Sequence, residues 1–139
     1  MDNMTCKSRA FISLAAISLL AIIICLILNN RKVFIGDITK DQSGYCLKFE
    51  KMNREDSYII PVCKDDVFSV NFRTDKGHAD LIIGMDDRNP IYKGNDIETG
   101  TFDVIVPEDG EYRITVNAKH ASGYVEVYAK KGEATNYDN

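Results

Sequence analysis

Tryptophan is absent from this 139-residue chain, proline occurs three times and histidine twice. None of the four cysteines stands in a C-x-x-C pair and no histidine pair lies near them, which excludes the ligand spacing of a structural zinc site. There is no G-x-S-x-G, and neither His78 nor His120 has a recognisable partner pattern, so the signatures of nucleophilic catalysis are missing. After Leu28 there is no helical periodicity of useful length, no internal repeat and no low-complexity segment. Positive charge is also scarce where nucleic acid would need it. The residues before Val33 carry +3, but from Val33 onward the balance is −7. An acidic domain attracts neither nucleic acid phosphates nor anionic lipid head groups. Fewer than 110 residues follow the N-terminal region, which leaves little room for both a core and a deep pocket. No catalytic, cofactor-binding or metal-binding residue is assigned, and an enzyme is not expected.

What is present begins with an apolar run. Ala10 to Leu28 reads AFISLAAISLLAIIICLIL, nineteen residues without a charge. As a helix it spans roughly 28 Å, close to the hydrocarbon thickness of a bilayer. Ser13 and Ser18 can bond back to helix carbonyls. Lys7 and Arg9 precede the run as in an export signal. Its end, IIICLILNN, lacks the small residues a cleavage site requires, so the run reads as an uncleaved signal anchor. Lipidation at Cys25 is the alternative, although Ile24 is larger than the residue expected before a lipidated cysteine. Arg31 and Lys32 balance Lys7 and Arg9, leaving the positive-inside rule nearly tied. The short N-terminal segment and the exported look of the remainder favour the N-terminus inside and the domain outside.

The expected organisation is a cytoplasmic segment over 1–9, a transmembrane anchor over 10–28, a juxtamembrane linker over 29–43, a β-domain over 44–130 and a disordered tail over 131–139. Within the domain the pattern has period two. GYCLKFEK places Tyr45, Leu47 and Phe49 in one phase, SYIIPV places Tyr58, Ile60 and Val62, and DVFSVNFRT places Phe68, Val70 and Phe72. ADLIIGM is a near-continuous apolar run, NPIYKG is short and proline-bearing, and GTFDVIV gives Phe102, Val104 and Val106. Pro107–Gly110 reads as a turn. Tyr112, Ile114, Val116 and Ala118 then face the core, Lys119–Gly123 reads as a hairpin loop holding His120, and a last strand carries Val125, Val127 and Ala129 in one phase and Tyr124, Glu126 and Tyr128 in the other. About eight short antiparallel strands predict an all-β sandwich of jelly-roll type behind one N-terminal transmembrane helix.

The stretch FDVIVPEDGEYRITVNAKHASGYVEVYAK resembles the closing strands of small, signal-anchored extracytoplasmic β-sandwich proteins of Gram-positive bacteria. ADLIIG followed by GEYRITVNA is similar to the bacterial pre-peptidase C-terminal domain, a jelly-roll accessory module. The resemblance covers roughly Val67 to Ala129. It implies an accessory or binding role and supplies no catalytic residues.

Four constellations could carry chemistry. If GYCLKFEK and YIIPVCK form a hairpin, the register that pairs Leu47 with Val62 and Phe49 with Ile60 also pairs Cys46 with Cys63. In an exported protein that would allow a cross-strand disulfide. Free half-buried thiols, or strands in different sheets, are the alternative. The loop MDDRNPIYKGNDIE offers Asp86, Asp87, Asn89, Asn95, Asp96 and Glu98 as oxygen ligands, without the EF-hand spacing, and reads as solvated. His78 and Asp80 share one strand face. Tyr58, Tyr92, Tyr124 and Tyr128 are the aromatics a carbohydrate platform could use, with ordinary packing the better reading. Together these lead to a binding or interaction module on the outer side of the cytoplasmic membrane, with a protein or cell-wall partner and no cofactor. A structural subunit of a membrane complex, with a faint small-residue seam at Ser13, Ala16, Ala21 and Cys25, is the alternative. A small cell-envelope enzyme is the third.

Overall fold

The computed structural model describes residues 3–86, 88–97 and 99–132, with the side chains of 3–12 excepted. Among these residues there are one helix, α1 (Asn3–Asn29), and six strands: β1 (Val33–Lys40), β2 (Gly44–Val62), β3 (Val67–Gly84), β4 (Tyr92–Gly94), β5 (Thr99–Ile105) and β6 (Gly110–Lys130). The chain divides into two units, Met1–Arg31 and Lys32–Asn139.

In the first unit, α1 runs unbroken through the apolar sequence. Ser18 Oγ donates to the Ala15 carbonyl at 2.9 Å, so its hydroxyl is satisfied within the helix. Leu14, Ile17, Leu20, Ile23 and Ile27 are all exposed, and so are their immediate neighbours Ile22, Ile24, Leu26 and Leu28. Successive helical residues point about 100° apart, so the apolar surface runs around the whole circumference. Among the described residues no helix is long and apolar enough to cross a membrane. The described side chains of the apolar run, Ser13–Leu28, cover about 24 Å at the helical rise. Its first three residues, and the 1–9 segment with Cys6, lie outside the residues described to that level.

The second unit is an antiparallel sheet in the order β1–β2–β6–β3–β4, with β5 also paired to β3. β6 is the axis, and both neighbours follow it over nearly its full length. All three long strands break register at one level: β2 between Phe49 and Arg54, β3 between Thr74 and His78, both against the 118–123 stretch of β6. Such bulges bend a strand and let it pass from one layer of a sandwich to the other. One layer holds β1, Gly44–Phe49, Gly123–Lys130, Val67–Thr74 and β5; the other holds Arg54–Val62, Gly110–Ala118, His78–Gly84 and β4. The bend needs unusual backbone. Gly77 has φ +72° and His120 φ +49°. A Cβ on Gly77 would run into the carbonyl oxygens of His120 and Lys119, and one on Gly123 into that of Arg73.

Each bulge also shifts the side-chain phase. The buried positions of β2 are Tyr45, Leu47 and Phe49 on one side of it and Met52, Ile60 and Val62 on the other. β3 buries Phe68, Val70 and Phe72, then Ala79, Leu81 and Ile83. β6 buries Tyr112 through Ala118 at even positions, then Ala121, Val125 and Val127 at odd ones. This corrects the expectation of eight strands. The alternating apolar residues line the core as expected, joined at the bulges by Met52 and Ala121, which were not expected there; but three pairs of expected strands are single long ones, and Lys119–Gly123 is a bend inside β6 rather than a hairpin loop. Rings join the layers: Phe68 meets Tyr112 edge-on at 5.9 Å, and Tyr45 stacks on Tyr58 at 6.3 Å.

Three further expectations are corrected. The stretch expected as linker contains β1, which pairs with Tyr45–Asn53. Cys46 and Cys63 do not face each other. Cys46 lies opposite Thr39 and Glu126 on the outer face, Cys63 follows the far end of the same strand, and both are free thiols. The tail is anchored at its start, because the buried Asp66 carboxylate accepts from the Cys63 and Gly132 amides at 2.9 and 3.2 Å and from Lys131 Nζ at 3.1 Å. Residues 133–139 lie outside those described. Because no bridge closes, adding reductant to the oxidised protein should leave its melting temperature unchanged, and iodoacetamide should alkylate Cys63 in the folded state. Protection of both Cys46 and Cys63 together with a drop on reduction would restore the bridge.

Candidate functional site

The bend brings His78, Asp80 and Asp96 together. His78 Nδ1 lies 2.8 Å from Asp96 Oδ1, and the Asp80 carboxylate accepts the Asp96 amide at 2.8 Å. The sequence paired His78 with Asp80 but placed Asp96 in the acidic loop; only the turn after β4 supplies it. They border an open depression of about 320 Å³ lined by Thr74–His78, Asp96 and Ile97. Its chemistry is limited. The His78 and Asp96 side chains are 69% and 63% accessible, so water screens their interaction. The nearby hydroxyl, Thr74 Oγ1, already donates to the Ile97 carbonyl at 2.7 Å. Asp80 serves the loop backbone. The rest of the acidic loop is a turn: Asp86 accepts from the Arg88 and Asn89 amides at 2.7 and 2.9 Å. Asp87 and Glu98 lie outside the described residues. Among the described residues no group of three or more metal-ligating side chains converges.

A second cluster was not singled out in the sequence. Beyond its bulge, β2 keeps even positions inward, so Arg54 and Asp56 enter the core phase with Tyr58, Ile60 and Val62. Asp56 accepts from Tyr45 Oη at 2.8 Å, Lys40 Nζ at 2.8 Å and Arg54 Nη2 at 3.4 Å. The Arg54 guanidinium lies over Phe34 at 4.5 Å, and Lys40 sits near the rings of Tyr45 and Tyr58. Lys40 also donates to the Ser57 carbonyl at 2.9 Å. That carbonyl belongs to a stretch of β2 that β1 does not reach. The cluster therefore closes the open side of the sandwich and blunts a strand edge, as does Pro61.

Burial, and then the hydrogen bond to Asp56, push the Tyr45 hydroxyl well above its ordinary value near 10. A raised folded-state value means stability that is fully present below pH 10 and is lost as pH rises toward the folded value. Tyr45→Phe should cost about 1.5–3 kcal/mol at pH 8, the worth of a hydrogen bond to a charged group. Above pH 10 the wild type's advantage should shrink by about 1.4 kcal/mol per pH unit. Urea melts of the two proteins from pH 8 to 11 measure this; a constant difference would show that Tyr45 titrates alike folded and unfolded.

The third region is the outer face of the layer containing β1 and β5. Its rows run Thr39–Cys46–Glu126–Asn71–Thr101, Asp37–Lys48–Tyr124–Arg73–Thr99 and Gly44–Tyr128–Ser69–Asp103. At its centre Glu126 accepts from Asn71 Nδ2 at 3.0 Å and faces the Cys46 thiol at 3.9 Å. Burial and then the Glu126 charge push that thiol up. Asn71 Oδ1 accepts from Thr101 Oγ1 and Tyr124 Oη, both at 3.4 Å. Lys130 donates to Ser69 Oγ at 3.1 Å. The structure separates the four candidate tyrosines. Tyr58 turns inward onto Tyr45, and Tyr92 packs on Phe102 at 4.7 Å. Tyr124 and Tyr128 remain on the outer face, where the alternation put them.

No protein-family model matches the chain, and no characterised protein matches it in sequence. Solved structures that are similar include a cupin domain from Bordetella pertussis, at 13% identity and a TM-score of 0.34, covering 73% of this chain and 97% of that one. A family two carbohydrate esterase from Cellvibrio japonicus is similar at 13% identity and a TM-score of 0.35, over 73% of this chain and 31% of its own. Overlap this loose carries no argument about function, and the double-layered antiparallel architecture rests on the strand register itself.

Proposed function

We propose that this chain is a membrane-tethered interaction module: a β-sandwich presented on the extracytoplasmic side of the cytoplasmic membrane by an uncleaved N-terminal anchor, engaging a protein or cell-wall partner rather than catalysing a reaction. The observation that carries this reading is the all-round apolar surface of α1. A helix apolar on every side, with none of these side chains covered, is suited to lipid. With Ala10, Phe11 and Ile12 of the sequence the run reaches nineteen uncharged residues, enough to span. An interaction role suits the sandwich because its ionisable clusters are tied up in loop, edge and core contacts. Jelly-roll character and the accessory role implied by the resemblance agree with this reading.

Fractionation of cells expressing the full chain tests it. The intact chain should pellet with membranes and resist carbonate and high salt, and protease added to spheroplasts should digest the sandwich. Release by carbonate would remove the tether; protection from protease in intact spheroplasts would reverse the topology.

A further inference from the structure

The outer face built on β1, β2, β6, β3 and β5 carries a half-exposed tyrosine seated over a glycine of the neighbouring strand. Tyr128 is 44% exposed, and its ring occupies the space above Gly44. A Cβ on residue 44 would stand 2.5 and 2.6 Å from Tyr128 Cδ1 and Cε1. The absence of a side chain at Gly44 therefore lets the ring lie against the strand backbone and keep an open side toward water. Tyr124 lies four residues away on the same face, about 13 Å along the strand. Between the two tyrosines, Glu126 and Asn71 are locked to each other, with Thr101 and Ser69 alongside. This arrangement pairs an aromatic surface with planar, pre-oriented hydrogen-bonding groups.

The charge on this face selects among ligands. Its paired positions hold Asp37, Asp103 and Glu126 against Lys48, Arg73 and Lys130, while Asp75 pairs with Arg73 at 2.7 Å and the Asp41 charge acts on Tyr128, so the face has no excess of positive charge. A face without excess positive charge on an acidic body offers nothing to a polyanion and does not repel an uncharged ligand. It also lacks the buried apolar centre that anchors a protein partner. Sugar rings fit what remains. Their C–H faces carry partial positive charge that suits the negative face of an aromatic ring, and their hydroxyls suit an amide–carboxylate pair.

We propose that this face binds an uncharged glycan, with Tyr128 stacking on a pyranose ring and the Asn71–Glu126 pair taking its hydroxyls. The proposal rests on the interaction-module reading and names the partner's chemistry.

The test uses the full chain in a zwitterionic detergent, titrated to millimolar concentration with cellohexaose, chitohexaose and laminarihexaose and followed by amide NMR. At least one oligosaccharide should shift the resonances of Gly44, Asn71 and Tyr128. Tyr128→Ala and Glu126→Gln should each weaken binding by about ten-fold or more, which is about 1.4 kcal/mol. Ser57→Ala, on the opposite outer face, should leave binding unchanged. If Tyr128→Ala does not fold, Glu126→Gln and Asn71→Ala decide. Absence of binding by all three oligosaccharides to the folded chain overturns the proposal, as do shifts confined to the other layer or binding indifferent to these substitutions. Crosslinking from residue 128 to a protein on the cell surface would also overturn it, while leaving the tethered-module reading intact. Loss of the chain from the carbonate-resistant pellet would instead remove the tether and say nothing against a glycan site.

Discussion

Phe68→Ala should lower the melting temperature of the sandwich by roughly 15–30 °C. Phe68 is fully buried, pairs with Ala129 in one layer and meets the Tyr112 ring of the other edge-on. Truncating a buried phenylalanine costs about 3–5 kcal/mol through lost transfer energy and the cavity left behind. The edge-to-face pair contributes roughly another 0.5–1.5 kcal/mol. A domain slightly above 100 residues has a total margin of about 5–15 kcal/mol, and each kcal/mol moves its midpoint by about 4–5 °C. Ile105→Ala serves as the comparison. Ile105 is 67% exposed on β5, and its loss should stay within about 0.5 kcal/mol. Thermal melts followed by circular dichroism measure both. If the two substitutions cost the same, the layers do not pack through Phe68 and Tyr112 as described.

The other large effect concerns the tether. Replacing Leu19 and Ile22 by arginine should move the full chain out of the carbonate-resistant membrane fraction. Both residues lie near the middle of the apolar run and both are exposed on α1. An arginine at the centre of a spanning helix costs about 2.5–3.5 kcal/mol on insertion scales, and each replaced leucine or isoleucine forgoes about 0.3–0.6 kcal/mol. Two such changes oppose insertion by about 6–8 kcal/mol, too much for a nineteen-residue segment to offset. The melting temperature of the sandwich should not change, because Met1–Arg31 forms a unit of its own. Quantitative immunoblotting of pellet and supernatant decides. Retention of the double-arginine chain in the pellet would mean that something other than this helix holds it there.

Much of the domain was legible in advance because a two-residue period depends only on the alternation of strand side chains. Tyr45, Leu47, Phe49, Phe68, Val70, Phe72, Tyr112, Ile114 and Val127 were grouped on single strand faces by that period, and all are buried. The placing of Tyr124 and Tyr128 on the opposite face followed from the same rule. Strand continuity was not legible. A bulge inverts the phase of a strand just as a turn and a new strand would, so Phe49 to Met52, Thr74 to His78 and Ala118 to Ala121 each looked like an end. Only the partner strands show that pairing resumes beyond the break. The misplaced Cys46–Cys63 pair follows from that ambiguity. Two halves of one strand had been read as the two arms of a hairpin.

Short-range chemistry determined what the sequence could say by itself: which residues avoid water, where charge is absent over a membrane-length stretch, and which metal and nucleophile signatures are missing. Long-range pairing decided the rest. Asp96 reaches His78 through the turn after β4, Lys40 reaches Asp56 because β1 lies along β2, and Glu126 meets Asn71 because β6 inserts between β2 and β3. Each contact joins residues 16 to 55 positions apart. No local period encodes such separations. They arise when three long strands bend at one level and bury both halves of the sheet against each other.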